Sequence, residues 1–295
     1  MNKQGWLIYR KQDADQNKPF IEWFIHESNK QDLSLRLIMR EEITTGIIDN
    51  HQRVLVNYKP VQIPDFAVVR TIDPLLSKFL ESLGIKVHNS SAVSEICNNK
   101  ARTHFHLNKL SIPMTDTVFF KKGIKPQMSP FSFPVVLKEA DGRGGQQVYK
   151  IDNRREWEAA FSTFLSSETI VQSTNSIQFG KDVRVFVVGK EVVGAVLRES
   201  STDFRSNFKL GGSASWYPLR TNELEMIQTI INYFDFGMVG IDFLITKSGS
   251  LLFNEIEDVV GSRTLSAISD RNILEKYVSH IKNGLSPQRT LRTND

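Results

Sequence analysis

The chain has 295 residues, and 37 Lys+Arg against 33 Asp+Glu leave a formal charge of +4, too mild and too scattered for a nucleic-acid surface. With 40% hydrophobic and 24% charged residues, the composition is that of a soluble globular protein of roughly two domains, not of a disordered, collagen-like or solenoid chain. The single cysteine, Cys97, permits neither an intrachain disulfide nor a multi-cysteine zinc site, and no apolar run approaches the ~20 residues of a membrane span, so a cytoplasmic protein without membrane or nucleic-acid partners is expected.

In chain order, Trp6 to Tyr9, Leu33 to Met39 and Phe66 to Val69 read as strands and Phe20 to His26 as a helix. That alternation predicts a small α/β layer. Thr71-Ile-Asp-Pro74 opens a helix carrying Leu75, Leu76, Phe79, Leu80 and Leu83 and closed by Gly84, before a strand at Ile85 to His88. A helix from Asn98 to Leu110 ends at Ser111-Ile-Pro113 and leads to a strand at Thr117 to Phe120. Residues 121–130 hold Gly and two Pro and read as a loop. Phe133 to Lys138, Gln146 to Tyr149 and Glu168 to Gln172 read as strands, with a helix at Arg154 to Leu165, which predicts a small α+β lobe around an antiparallel hairpin. Asp182 to Val188 turns at Gly189 and returns through Val192 to Leu197, and a polar segment, Arg198 to Asn207, follows. After an amphipathic helix at Glu223 to Phe234, Val239 to Ile245 and Leu251 to Glu257 make a second hairpin, and a helix from about Asp270 to Ile281 closes the pattern.

The last hairpin carries the most chemistry. Strand side chains alternate faces, so Glu255 and Glu257 point one way, and the turn brings Asp242 opposite them. Three like charges on a partly buried face repel unless a cation neutralises them. Mg²⁺, which favours hard oxygen ligands, is the economical solution, and Asp242→Asn is then expected to relieve strain in the metal-free protein. The alternative is that these acids face solvent or pair with Lys and Arg. Lys138 ends an apolar strand beside Asp141-Gly-Arg-Gly-Gly145, where glycines let backbone N–H groups approach an anion; a snorkelling lysine next to a flexible turn is the plainer alternative. Arg205 and Asn207, in Asp203-Phe-Arg-Ser-Asn207, share a face if extended and suit phosphate or a developing oxyanion. Asp182 and Arg184 read as a local ion pair. His104 and His106 diverge on a helix and cannot share a metal. The nicotinamide Gly-x-Gly-x-x-Gly, P-loop and Gly-x-Ser-x-Gly motifs are absent.

These features, in this order, resemble the ATP-grasp superfamily, and most closely its RimK-like branch of carboxylate–amine ligases, over residues from about Asn98 to Ile281. The resemblance implies an α/β N-terminal domain followed by an ATP-grasp fold, two α+β lobes enclosing the nucleotide. Residues 1–97 would form the preceding domain, 98–175 the small lobe with its glycine-rich lid, 176–284 the large lobe with the metal site, and 285–295 a polar tail. It implies that Lys100 and Lys138 reach the phosphates of ATP, that Gly142, Gly144 and Gly145 close over them, and that Gln172, Ser173 and Thr174 form the hinge against adenine. Asp182 would approach the ribose, Arg205 and Asn207 the γ-phosphate and acyl phosphate, and Asp242, Glu255 and Glu257 would hold Mg²⁺, with Mn²⁺ as the alternative. The function implied is an ADP-forming ligase that makes an amide through an acyl phosphate from an amino-acid or peptide substrate. A small-molecule kinase on the same fold and a catalytically silent ATP-binding protein are the alternatives, and a homo-oligomer stays open. Glu257 stands where relatives usually have Asn, Val260-Gly261 replaces a frequent Pro-Gly with Arg263 close behind, and Ser173 replaces an acidic hinge residue.

Overall fold

The run Phe66-Ala-Val-Val69 is buried at every position in the computed structural model, as a strand covered on both faces must be. The structure describes residues 3–143, 147–164, 167–206 and 212–285, with 161–164 by backbone alone. Its contacts divide the chain into two units, 3–94 with 235–238 and 272–285, and 95–234 with 239–271. Among the described residues no helix is long and apolar enough to cross a membrane.

The first unit contains β1 (Lys3–Tyr9), α1 (Lys11–Gln16), α2 (Lys18–Lys30), β2 (Leu33–Met39), β3 (Ile43–Ile48), β4 (His51–Val56), β5 (Lys59–Pro60), β6 (Phe66–Val69), α3 (Pro74–Ser82) and β7 (Lys86–His88). Strands β2, β1, β6 and β7 lie side by side in that order, all parallel. Helix α3 begins as its sequence predicts: Asp73 accepts the Leu76 N–H at 2.9 Å, and Pro74 follows the cap. Strands β3 to β5 form a separate antiparallel sheet that the sequence reading does not foresee, and its turns place Asp49, Asn50, Asn57 and Tyr58 at positive φ.

After α4 (Ser91–Cys97), which spans the division, the second unit holds α5 (Lys100–Asn108), β8 (Thr117–Phe120), β9 (Val135–Glu139), β10 (Val148–Ile151), α6 (Arg154–Phe164) and β11 (Thr169–Ser173). The sheet order is β10, β9, β11, β8, antiparallel throughout, and Val135, Leu137, Ile151, Trp157 and Val171 form its core. There follow β12 (Ile177–Val188), β13 (Glu191–Glu199), β14 (Ser213–Trp216), α7 (Thr221–Tyr233), β15 (Met238–Thr246), β16 (Leu251–Glu257) and α8 (Arg263–Ile268), with a second sheet in the order β14, β13, β12, β15, β16. The last helix, α9 (Ile273–Leu285), returns to the first unit, where Tyr277 packs on Phe24 with ring centroids 5.5 Å apart.

Both long hairpins of the second sheet carry one extra residue. Val187 pairs with Val192 and then Phe186 with Gly194, leaving Val193 over; Phe243 pairs with Phe253 and then Asp242 with Glu255, leaving Asn254 over. Such a bulge slips the register by one residue and exchanges the faces of everything beyond it. Counted straight from the turns, Asp182 would oppose Leu197 and Asp242 would oppose Asn254. The bulges instead set Asp182 against Arg198, and Asp242 against Glu255. The bulged residues' carbonyls are met by side chains: Arg271 donates to Val193, and His104 Nε2 lies 2.9 Å from the Asn254 oxygen. A buried carbonyl left unpaired would cost about 1–3 kcal/mol.

Candidate active site

Four strands present one face of charge. Arg184 on β12 donates from Nε and Nη2 to the two Asp242 oxygens at 2.7 and 2.6 Å, and its Nη1 lies 2.9 Å from Glu257. Arg198 on β13 grips both oxygens of Asp182 at 2.6 and 2.7 Å and reaches Asp242 at 2.9 Å. The expected local pair of Asp182 with Arg184 is therefore corrected: each acid takes a partner from a neighbouring strand, because the bulge in β13 brings Arg198 round. Burial raises the Asp242 carboxyl, but Arg184 and Arg198 outweigh it and hold the group at about 2. For Asp182, burial wins over Arg198 and lifts the carboxyl above its usual range.

Lys100, the first residue of α5, follows the cap Asn99, whose side chain accepts the Arg102 N–H at 3.0 Å. Its Nζ donates to the Gly142 carbonyl at 2.5 Å and lies 3.1 Å from Glu255. Lys138 on β9 donates to Asn254 Oδ1 at 2.8 Å. Burial opposes ionisation of Glu255, but Lys100 and Lys138 hold it below the usual carboxylate range. Burial also pulls the Lys138 ammonium down to about 8, against the attraction of Glu255. His104 is driven to about 4 chiefly by burial, so at neutral pH it is uncharged and its Nε2–H donates to the Asn254 carbonyl. A line of contacts thus runs from α5 through the bulge residue to the buried lysine.

The expectation that three acids stand alone and repel is corrected. Asp182, Asp242, Glu255 and Glu257 face Lys100, Lys138, Arg184 and Arg198, and the cluster is neutral without any ligand. Asp242, Glu255 and Glu257 do converge: each offers an oxygen such that all lie within 4.8 Å of one another. Oxygens sharing a Mg²⁺ lie at most about 4.2 Å apart, twice the usual metal–oxygen distance. This all-oxygen set fits a hard divalent cation after a slight inward turn, provided Arg184 and Lys100 yield their contacts.

The other expected site residues are placed as follows. Gln172, Ser173 and Thr174 are buried at the end of β11; the Ser173 N–H donates to Asp116 O at 2.9 Å and its carbonyl accepts from Thr115 at 2.7 Å, while Thr174 donates to Pro134 O at 2.6 Å. Arg205 is held by Asp203, at 3.0 Å from Nε and 2.7 Å from Nη2, and its guanidinium lies 5.5 Å from the Phe204 ring centre. Gly144, Gly145 and Asn207 lie outside the described residues. Arg198, Asn254 and His104 belong to the cluster but were not among the expected site residues; the one-residue slip in each hairpin that brings in the first two leaves no local mark in the sequence.

A family model described as the RimK-like ATP-grasp domain matches residues 97–281. The MG011 homolog of Mycoplasma pneumoniae, an uncharacterized protein, is 28% identical over 298 residues, covering 97% of this chain and 96% of that protein. N-acetylaspartylglutamate synthase A of Mus musculus is 30% identical over 251 residues, 79% of this chain and 66% of that protein. Among solved structures, VanG D-Ala:D-Ser ligase from Enterococcus faecalis superposes with a TM-score of 0.75 at 18% identity, over 97% of this chain and 100% of that one. The chain belongs to the RimK-like ATP-grasp family. It is, by class, an ATP-grasp ligase.

Proposed function

We propose that the charged face of β12, β13, β15 and β16 is the centre at which this ligase joins a carboxylate to an amine, with ATP consumed and ADP formed. The observation that carries the reading is the convergence of Asp242, Glu255 and Glu257 amid four cations on one sheet face. A substrate carboxylate oxygen takes the γ-phosphoryl group as the bond to ADP breaks; the amine nitrogen then attacks the acyl phosphate carbon, phosphate leaves with the bonding pair, and the nitrogen loses a proton. No covalent protein nucleophile takes part, so the chain's work is positioning and charge neutralisation. A divalent cation held by the three acids would supply neutralisation of phosphate oxygens.

Lys100 and Lys138 are assigned to the phosphates, and Gly142, with Gly144 and Gly145, to the segment covering them and excluding water. Residues 172–174 are assigned to the adenine edge. Arg205 reaches the γ-phosphate by exchanging Asp203 for it, beside Asn207. With both oxygens already on Arg198, Asp182 is assigned to orienting that guanidinium as well as standing near the ribose. The relative's name, N-acetylaspartylglutamate synthase A, supports an acidic amino acid as the amine. The test is ADP release with MgATP against a panel of carboxylates and amines that includes glutamate, followed by mass measurement of the conjugate. ADP release requiring both partners, with an amide product, is expected. A phosphorylated product that persists without an amine would make the chain a kinase, and absence of turnover with every pair would leave a silent nucleotide-binding protein.

A further inference from the structure

Arg184 occupies two of the three carboxylates assigned to the metal, with Nε and Nη2 on Asp242 and Nη1 on Glu257. Its stem passes Gly240: a Cβ built there would lie 3.4 Å from Arg184 Cδ, an ordinary contact, but 2.7 Å from Val260 Cγ2, so it is Val260 that requires the glycine beside the arginine stem. We propose that Arg184 is an internal competitor for the metal, holding Asp242 and Glu257 in the free protein and anchoring a phosphate oxygen once released, so that metal and nucleotide bind cooperatively through it. This rests on the ligase reading above.

Charge and hydrogen-bond capacity both link the two ligands at Arg184. The cluster is neutral as it stands. If a divalent cation alone took Asp242 and Glu257, Arg184 would be left buried with only the field of Asp182, whose two oxygens Arg198 already holds, which is unfavourable. If a triphosphate alone arrived, it would meet a guanidinium with two of its five N–H groups already donated to Asp242 and its Nη1 paired with Glu257. Only when both come does every displaced group find an opposite charge. Arg198 plays no equal part, because it keeps both oxygens of Asp182 when Asp242 turns away. Lys100 gives up one acid, Glu255, and keeps the Gly142 carbonyl, whereas Arg184 gives up its contacts with two and therefore carries the larger share of the coupling, which by linkage acts equally in the two directions.

The test measures binding, not turnover. AMP-PNP affinity is determined by calorimetry with and without MgCl₂, and Mn²⁺ affinity without nucleotide by electron paramagnetic resonance, in the wild type, Arg184→Met and Arg184→Lys. In the wild type MgCl₂ should strengthen AMP-PNP binding roughly 100-fold. Arg184→Met should bind Mn²⁺ alone about tenfold more tightly than the wild type and retain only about threefold enhancement of AMP-PNP by MgCl₂, with Arg184→Lys between. Unchanged or weaker Mn²⁺ binding in Arg184→Met, with AMP-PNP still bound, would overturn the competitor role while leaving the ligase reading standing. A wild type that binds no AMP-PNP overturns both. Should Arg184→Met fail to fold, the Arg184 Nε–H resonance of the wild type decides: it should move only when MgCl₂ and AMP-PNP are present together, and a shift completed by MgCl₂ alone refutes the coupling.

Discussion

Asp242→Asn keeps the shape of a side chain in a residue only 2% exposed and removes its charge, and it should destabilise the ligand-free protein. The carboxylate accepts three charge-assisted bonds, at 2.7, 2.6 and 2.9 Å, whereas the amide has one oxygen to offer and turns an N–H₂ toward guanidinium donors. Removing one member of a buried ion network costs about 3–5 kcal/mol. The lower end applies, because Arg184 keeps Glu257 and Arg198 keeps Asp182. A loss of about 3 kcal/mol is a large part of the ~5–15 kcal/mol that folded domains have, and for a unit of this size it lowers the midpoint of melting by about 6–12 °C. The assay is calorimetric melting in buffer free of nucleotide and divalent cations, with Glu257→Gln as a graded control. That control loses one ion pair at a half-buried residue and should cost no more than about 1 kcal/mol. The sequence by itself suggests the opposite sign, relief of repulsion. An Asp242→Asn protein melting at or above the wild type would refute the view that the chain's own guanidiniums neutralise this acid.

Lys138→Met should weaken AMP-PNP binding by about 10- to 100-fold, the value of a hydrogen bond to a charged group, and leave adenosine binding nearly unchanged; calorimetric titration of both ligands checks this, and equal losses would indicate damage to the fold instead. Asn254→Ala should lower unfolding free energy in urea by about 1–3 kcal/mol, since the buried Lys138 ammonium loses its Oδ1 acceptor, and an unchanged midpoint and slope would contradict that. In the first unit, His88 is pushed down to about 3, chiefly by burial and then by His280 and Lys86. The unfolded chain therefore takes up a proton near pH 6.5 that the native protein refuses. Stability from this group is present above pH 6.5 and is lost as pH falls towards 3. Between pH 7 and 5 the wild type should lose about 2 kcal/mol more than His88→Gln, measured by urea unfolding at each pH, and parallel losses would remove His88 as the cause.

The acids of the last hairpin and the strand-end lysine were legible in the sequence because each follows from local pattern: alternation, a turn, an apolar run ended by a charge. The register was not. A straight count back from the Lys-Ser-Gly turn sets Asn254, not Glu255, opposite Asp242, and the slip that corrects it depends on what lies behind the strand. There, Phe253 packs on Phe243 at 6.2 Å and His104 takes the freed carbonyl, contacts 150 residues apart in sequence in the second case. The same slip in the β12–β13 hairpin hid Arg198, which reads as the start of a polar loop until Val193 is seen to be the extra residue. Strand β14 and the sheet of β3 to β5 were also missed, since Ser213-Ala-Ser-Trp216 has little apolar alternation and β5 has only two residues. Charge balance was misread for a related reason: the cations that neutralise the acids come from other strands and from α5, so no window of sequence contains both halves.

The measurement that bears most directly on this account is anomalous diffraction from crystals of the protein grown with MnCl₂ and AMP-PNP. A manganese peak bounded by Asp242, Glu255 and Glu257, with Arg184 turned from Asp242 to a phosphate oxygen, is the predicted result. Nucleotide bound with manganese elsewhere, and both guanidiniums still clasping Asp242, would contradict it.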